Sequence, residues 1–163
     1  MPLAIGTPAP DFSLFDQNKE EVSLADLKGG NALIVFIPFP FTGHCDAEGC
    51  QLRDGLAELA EVDAKVVVIT AHALPTNAQW ASENGFTFPV LANFWPHGDV
   101  IKAYDAFNEV VGAANRVSYV LDDNGIIRDV IATESLGTPR EYELYAVALA
   151  SLTCRLTARP TTA

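Results

Sequence analysis

Cysteine is scarce, with three residues in 163, an odd and small number that excludes a secreted scaffold stapled by disulfides and leaves at least one thiol free. Positive charge is scarce too. Ten Lys and Arg stand against twenty-one Asp and Glu, and the net charge of −11 argues against nucleic acid and membrane partners, because affinity for phosphates comes from clustered basic residues. No apolar run approaches the ~20 residues of a membrane span, and the first ten residues lack a basic stretch ahead of an apolar one. A soluble, cytoplasmic protein is expected. Neither C-x-x-C nor H-x-x-x-H spacing occurs, so no metal and no cofactor is expected. Internal repeats and linkers are also missing.

What is present is a chain that is 49% hydrophobic, the makeup of one domain able to bury roughly two thirds of its unfolded surface. Residues 11–15 and 21–24 flank Gln17-Asn18-Lys19 and predict a hairpin. Residues 32–37 and 65–70 are continuous apolar runs that predict buried strands. Between them Leu52, Leu56 and Leu59 recur at helical spacing, so a helix is predicted from about Cys45 to Ala60. A second helix covers 75–84 and stops at Gly85, and residues 117–121 and 126–131 form a hairpin around Asp123-Asn124-Gly125. Pro139 opens a last helix to about Leu152. This order predicts an α/β domain over residues 1–154: a thioredoxin-like fold with an N-terminal β-hairpin extension and a mixed central sheet flanked by helices. Residues 155–163, rich in Thr, Arg and Pro, read as a flexible tail.

The most informative stretch is Pro38-Phe39-Pro40-Phe41-Thr42-Gly43-His44-Cys45, a P-x-x-x-T-x-x-C spacing that follows a strand and opens a helix. A helix N-terminus exposes unpaired N–H groups and a partial positive charge, so a thiol there ionises more readily than its free pKa of about 8.5 implies. Ionisation alone gains only about 30-fold in thiolate, or roughly 2 kcal/mol, so larger acceleration requires donors to the transition state. Thr42 can turn its hydroxyl toward the sulfur or an incoming oxygen. Pro38 stiffens the loop. Arg116, at the start of the 117–121 strand, is the candidate cation, and Glu48 can hold its guanidinium in a bidentate pair. Phe39, Phe41, Phe94 and Trp95 suggest an apolar mouth.

These residues resemble the peroxiredoxins, thiol peroxidases on a thioredoxin fold. The segments Phe41-Thr42-Gly43, Gln51-Leu52-Arg53-Asp54, Gly85-Phe86-Thr87-Phe88-Pro89, Phe94-Trp95-Pro96-His97-Gly98, Phe107-Asn108-Glu109 and Asn115-Arg116 resemble more specifically the alkyl hydroperoxide reductase E subfamily, over about residues 9–152. The resemblance implies that the Cys45 thiolate attacks a hydroperoxide to leave a sulfenic acid, that Thr42 and Arg116 bind the peroxide oxygens and that Pro38 shields the sulfenate. It also brings Phe41, Gly43, His44 and Trp80 to the substrate pocket. An ordinary core aromatic is the other reading of Trp80, a solvated loop residue that of His44, and a surface ion pair that of Arg116. A hydroperoxide substrate, a thiol reductant and a homodimer are implied.

The chain departs from that subfamily at Cys50. The resembled enzymes work with one cysteine and an external thiol, such as mycoredoxin with a low-molecular-weight thiol. The Cys45 to Cys50 spacing is instead similar to the bacterioferritin comigratory protein group, in which the second cysteine closes an internal disulfide that thioredoxin reduces. Residues five apart on a helix have Cα atoms about 8.7 Å apart, beyond the ~7 Å span of a disulfide, so the first turn must melt. Gly43 and Gly49 are expected to ease that melting. Cys50 as an inert small hydrophobe, and Cys154 as either a resolving cysteine or a spectator, remain open. A redox sensor and a disulfide reductase are the competing activities.

Overall fold

The computed structural model describes residues 1–157, with side chains described through Thr153. The chain runs β1 (Ser13–Phe15), β2 (Glu21–Ser23), α1 (Leu24–Leu27), β3 (Asn31–Phe36), α2 (Gly43–Glu61), β4 (Ala64–Thr70) and α3 (Leu74–Asn84). There follow β5 (Val90–Ala92), α4 (Asp99–Ala103), β6 (Phe107–Asn108), β7 (Ala113–Ala114), β8 (Val117–Leu121), β9 (Ile127–Ala132) and α5 (Tyr142–Thr157). Seven strands form one sheet in the order β2-β1-β5-β4-β3-β8-β9, while β6 and β7 pair separately. β3, β4 and β5 run parallel, and β1 and β8 join them antiparallel. The sheet is therefore mixed, as its hairpins at both ends require.

β3 and β4 are central and their apolar residues are buried on both faces, which is why they read as continuous runs rather than alternating ones. Ile34, Phe36, Val67 and Ile69 face one core with α1, α4, Tyr104 and Tyr119. Leu33, Val35, Ile37, Val66 and Val68 face the other, with α2, α3 and α5. Ile37 continues this second face to Cys45, so the thiol's placement follows from the two-residue period of a strand.

α3 begins one residue ahead of Pro75 and ends where Gly85 takes φ +67°, the left-handed cap that its sequence predicts. The last helix differs from expectation at both ends. Arg140, expected inside its first turn, instead gives its backbone N–H to Glu48, and the helix starts only at Tyr142. Its far end continues to Thr157, so residues 155–157 are helical where a tail was expected, and 158–163 lie outside the described residues. The side chain of Cys154 lies outside them as well. No helix among the described residues is long and apolar enough to cross a membrane.

Candidate active site

The start of α2, the exit from β3 and the residue ahead of β8 meet at the thiol. Thr42 caps α2 with extended backbone (φ −115°, ψ 150°), and Phe41 before it takes φ +66°, a region that costs a bulky residue about 1–3 kcal/mol. That reversal lets the chain leave β3 and enter α2 with Cys45 in its first turn. The Thr42 hydroxyl donates to the Phe39 carbonyl at 2.7 Å and not to the sulfur, one of the two targets expected of it. It must release this bond before it can donate to a peroxide oxygen. Pro38 is buried, Phe39 packs at 6.1 Å from the His72 ring, and Gly43 and His44 are exposed. Burial lowers the His72 pKa, an effect that a hydrogen bond with the Pro38 backbone partly offsets.

Cys45 is fully buried, and Arg116 Nη2 donates to its Sγ at 3.4 Å. β8 lies antiparallel to β3 with Val35 opposite Ser118, so two residues further the pairing brings Arg116 beside the exit from β3. Its guanidinium is held on every nitrogen: Nε donates to the Leu136 carbonyl at 2.6 Å and Nη1 to Glu48 Oε2 at 2.7 Å, leaving Nη2 for the sulfur. The expected bidentate pair of Glu48 and Arg116 is a single contact. The bidentate partner is Arg140, whose Nε and Nη2 reach Oε1 and Oε2 of Glu48 at 3.1 and 2.9 Å, with its backbone N–H on Oε1 at 2.7 Å. Arg140 was not anticipated, and its only mark in the sequence is being basic among acidic neighbours.

The electrostatics follow from this sharing. Burial alone would raise the Glu48 pKa, but the hydrogen bonds and charge of Arg140, with the charge of Arg116, outweigh it and hold the carboxylate below its ordinary range. Two buried guanidiniums and one carboxylate leave one positive charge over, so a thiolate on Cys45 makes the cluster neutral. The network extends further: Arg140 Nη1 donates to Ser118 Oγ at 2.9 Å, which lies 2.9 Å from the Tyr145 hydroxyl. Burial pushes the Tyr145 pKa up. This hydroxyl stays neutral and orients Ser118 for Arg140.

The remaining candidates separate from the thiol. Cys50 is half-buried, and its Sγ donates to Asn84 Oδ1 at 3.7 Å, on the side of α2 facing α3. Trp80 is fully buried and donates its indole N–H to Asp46 Oδ1 at 2.7 Å, so it backs the first turn of α2 from the core and does not open onto solvent. Phe41, Phe94 and Trp95 are exposed. Phe94, however, lines its own cleft of about 180 Å³ with Ala71, His97, Gly98, Phe107 and Gly112, none of them a residue of the thiol site. Gly49 also makes room for a neighbour: a Cβ there would collide with the Phe86 ring.

A buried thiol at a helix start, met by an arginine that a carboxylate orients, on a mixed sheet between helices, defines a thiol-dependent peroxidase of the peroxiredoxin class. The AhpC/TSA family profile matches residues 5–130. The chain belongs to the AhpC/TSA family. It is 46% identical over 152 residues to alkyl hydroperoxide reductase E of Mycobacterium tuberculosis, covering 93% of this chain and 99% of that protein. It is 29% identical over 135 residues to peroxiredoxin Bcp of Escherichia coli, covering 79% and 85% of the two chains. Among solved structures, M. tuberculosis peroxidoxin BcpB has a TM-score of 0.79 at 28% identity over 95% of this chain and 97% of its own. AhpC of Enterococcus faecalis, at 23% identity, has a TM-score of 0.87 over 97% and 96%, a likeness of fold. As a thiol-dependent peroxidase, the protein acts on a peroxide and is recycled by a thiol reductant.

Proposed function

We propose that the protein reduces hydrogen peroxide and organic hydroperoxides, peroxynitrite included among its oxidants, by turnover of Cys45. The thiolate sulfur attacks the terminal oxygen of ROOH; the S–O bond forms as Cys45–SOH, the O–O bond breaks, and RO⁻ leaves as ROH with the proton that the thiol gave up on ionising. Cys45 ends as a sulfenic acid. The single observation that carries this reading is Arg116 Nη2 at 3.4 Å from the buried Sγ, a donor fixed where charge on the peroxide oxygens develops. Pro38, Phe41, Gly43 and His44 line the approach, and Thr42 supplies a second donor once its hydroxyl turns.

Cys50 then attacks the sulfenate sulfur, forming the Cys45–Cys50 disulfide and releasing water, and a dithiol protein such as thioredoxin reduces it. A second reading has its own observation: α2 is continuous from Gly43 to Glu61 and aims Cys50 at Asn84, an arrangement that favours recycling by an external thiol such as mycoredoxin with a low-molecular-weight thiol. The protein works as a cytoplasmic homodimer, in keeping with the family resemblance. Peroxide consumption with each donor, followed by stopped flow and intact mass, tests the whole. Cys45→Ser is expected to abolish consumption, and one equivalent of peroxide to remove two hydrogens from the wild type. Retained turnover in Cys45→Ser would refute the assignment, and one stable added oxygen would take Cys50 out of the cycle.

A further inference from the structure

We infer that α3 clasps residues 45–50 of α2 in the helical form through two side chains, Trp80 and Asn84, and so sets how fast Cys50 reaches Cys45. The second half of this inference rests on the reading of Cys50 as the resolving thiol. The clasp has a contact at each end of the segment that must unwind. At the front, the Trp80 indole N–H donates to Asp46 Oδ1 at 2.7 Å, one residue after the reacting cysteine. At the back, Asn84 Oδ1 accepts from the Cys50 thiol at 3.7 Å, while its Nδ2 donates to the Trp80 carbonyl at 2.9 Å. Between them the Phe86 ring stands edge-on to Trp80, with centroids 4.9 Å apart, and fills the space that Gly49 leaves open.

Trp80 and Asn84 are one helical turn apart, so the two contacts lie on one face of α3 and act on one face of α2. The disulfide requires both to open. Sulfenic acid and thiol combine as Cys45–SOH and Cys50–SH, an S–S bond forms, the S–O bond breaks, and the Cys50 proton leaves with the hydroxide as water. The two sulfurs can meet only if the first turn unwinds, which carries Asp46 away from the indole. Trp80 is fully buried, so its N–H would be left without that acceptor. A buried donor deprived of its partner slows opening by roughly ten- to a hundred-fold. Trp80 and Asn84 are thus positioning residues, since they act through the helix.

The test compares Asp46→Ala, Asp46→Asn and Trp80→Phe with the full-length protein. Asparagine loses the charge of Asp46 but keeps the acceptor, so it separates the hydrogen bond from electrostatics near the thiol. Two quantities are read: the rate at which the mass falls by two hydrogens after one equivalent of peroxide, and amide hydrogen exchange of residues 45–50 in the reduced protein. Both are expected to rise about ten-fold in Asp46→Ala and Trp80→Phe and to stay within about two-fold of wild type in Asp46→Asn. Unchanged exchange in Asp46→Ala, or an equal rise in Asp46→Asn, overturns the clasp. If the wild type instead holds a single added oxygen, the reading of Cys50 falls, and the exchange comparison rules on the clasp by itself.

Discussion

Arg116 spends two of its three guanidinium nitrogens on being held and leaves the third for the sulfur. A lysine retains the charge but has no planar fork to span Leu136, Glu48 and Cys45 together. Arg116→Lys is therefore expected to lower the second-order rate with peroxide about 100-fold while the protein still folds, as read by stopped flow and circular dichroism. A loss smaller than about three-fold would show that charge, not orientation, is what the site needs. The placement of Cys45 in the first turn of α2, with Glu48 one turn on, was legible from the helix period, whereas the turn of the Thr42 hydroxyl to the Phe39 carbonyl was not. Nor was Arg140. Its partner Glu48 is 92 residues away, and burial of an arginine leaves no local pattern.

At the scale of elements, α2 is shaped by what leans on it. Alanine in place of Gly49 gains up to about 1 kcal/mol of helix propensity, yet its methyl would collide with Phe86, and overpacking of this kind costs about 1–3 kcal/mol. Gly49→Ala is expected to lower thermal stability by a few degrees, measured by calorimetry; a rise would restore the view that this glycine only loosens the helix. The long strands and helices were legible from period and capping. The three-residue β5 was not, because it exists through pairing with distant β4 and β1, nor were the two-residue β6 and β7, which pair with each other and are too short to show a period. The beginning of α5 was misread because Glu48 overrides the helix preference that follows Pro139.

For the whole molecule, the buried charge cluster ties sheet, α2 and the approach to α5 together, so its titration is a statement about folding. The Glu48 carboxylate is held below its ordinary value of 4.5, and the stability this contributes is complete above that pH and lost as the pH falls through the folded-state value. Urea midpoints measured downward from pH 6 should fall through the acid range, and less steeply in Glu48→Gln. Identical slopes would place the acid sensitivity elsewhere. The fold class was legible from the alternation of elements, whereas the division of the core into two faces became visible only with the sheet order in hand.

The complete burial of Cys45 carries a consequence for the bench. Of the two described thiols, the half-buried Cys50 is expected to meet a bulky alkylating reagent before the fully buried Cys45 does. A thiol titration of the native protein is therefore expected to depend on the size of the probe, a large one counting Cys45 after Cys50.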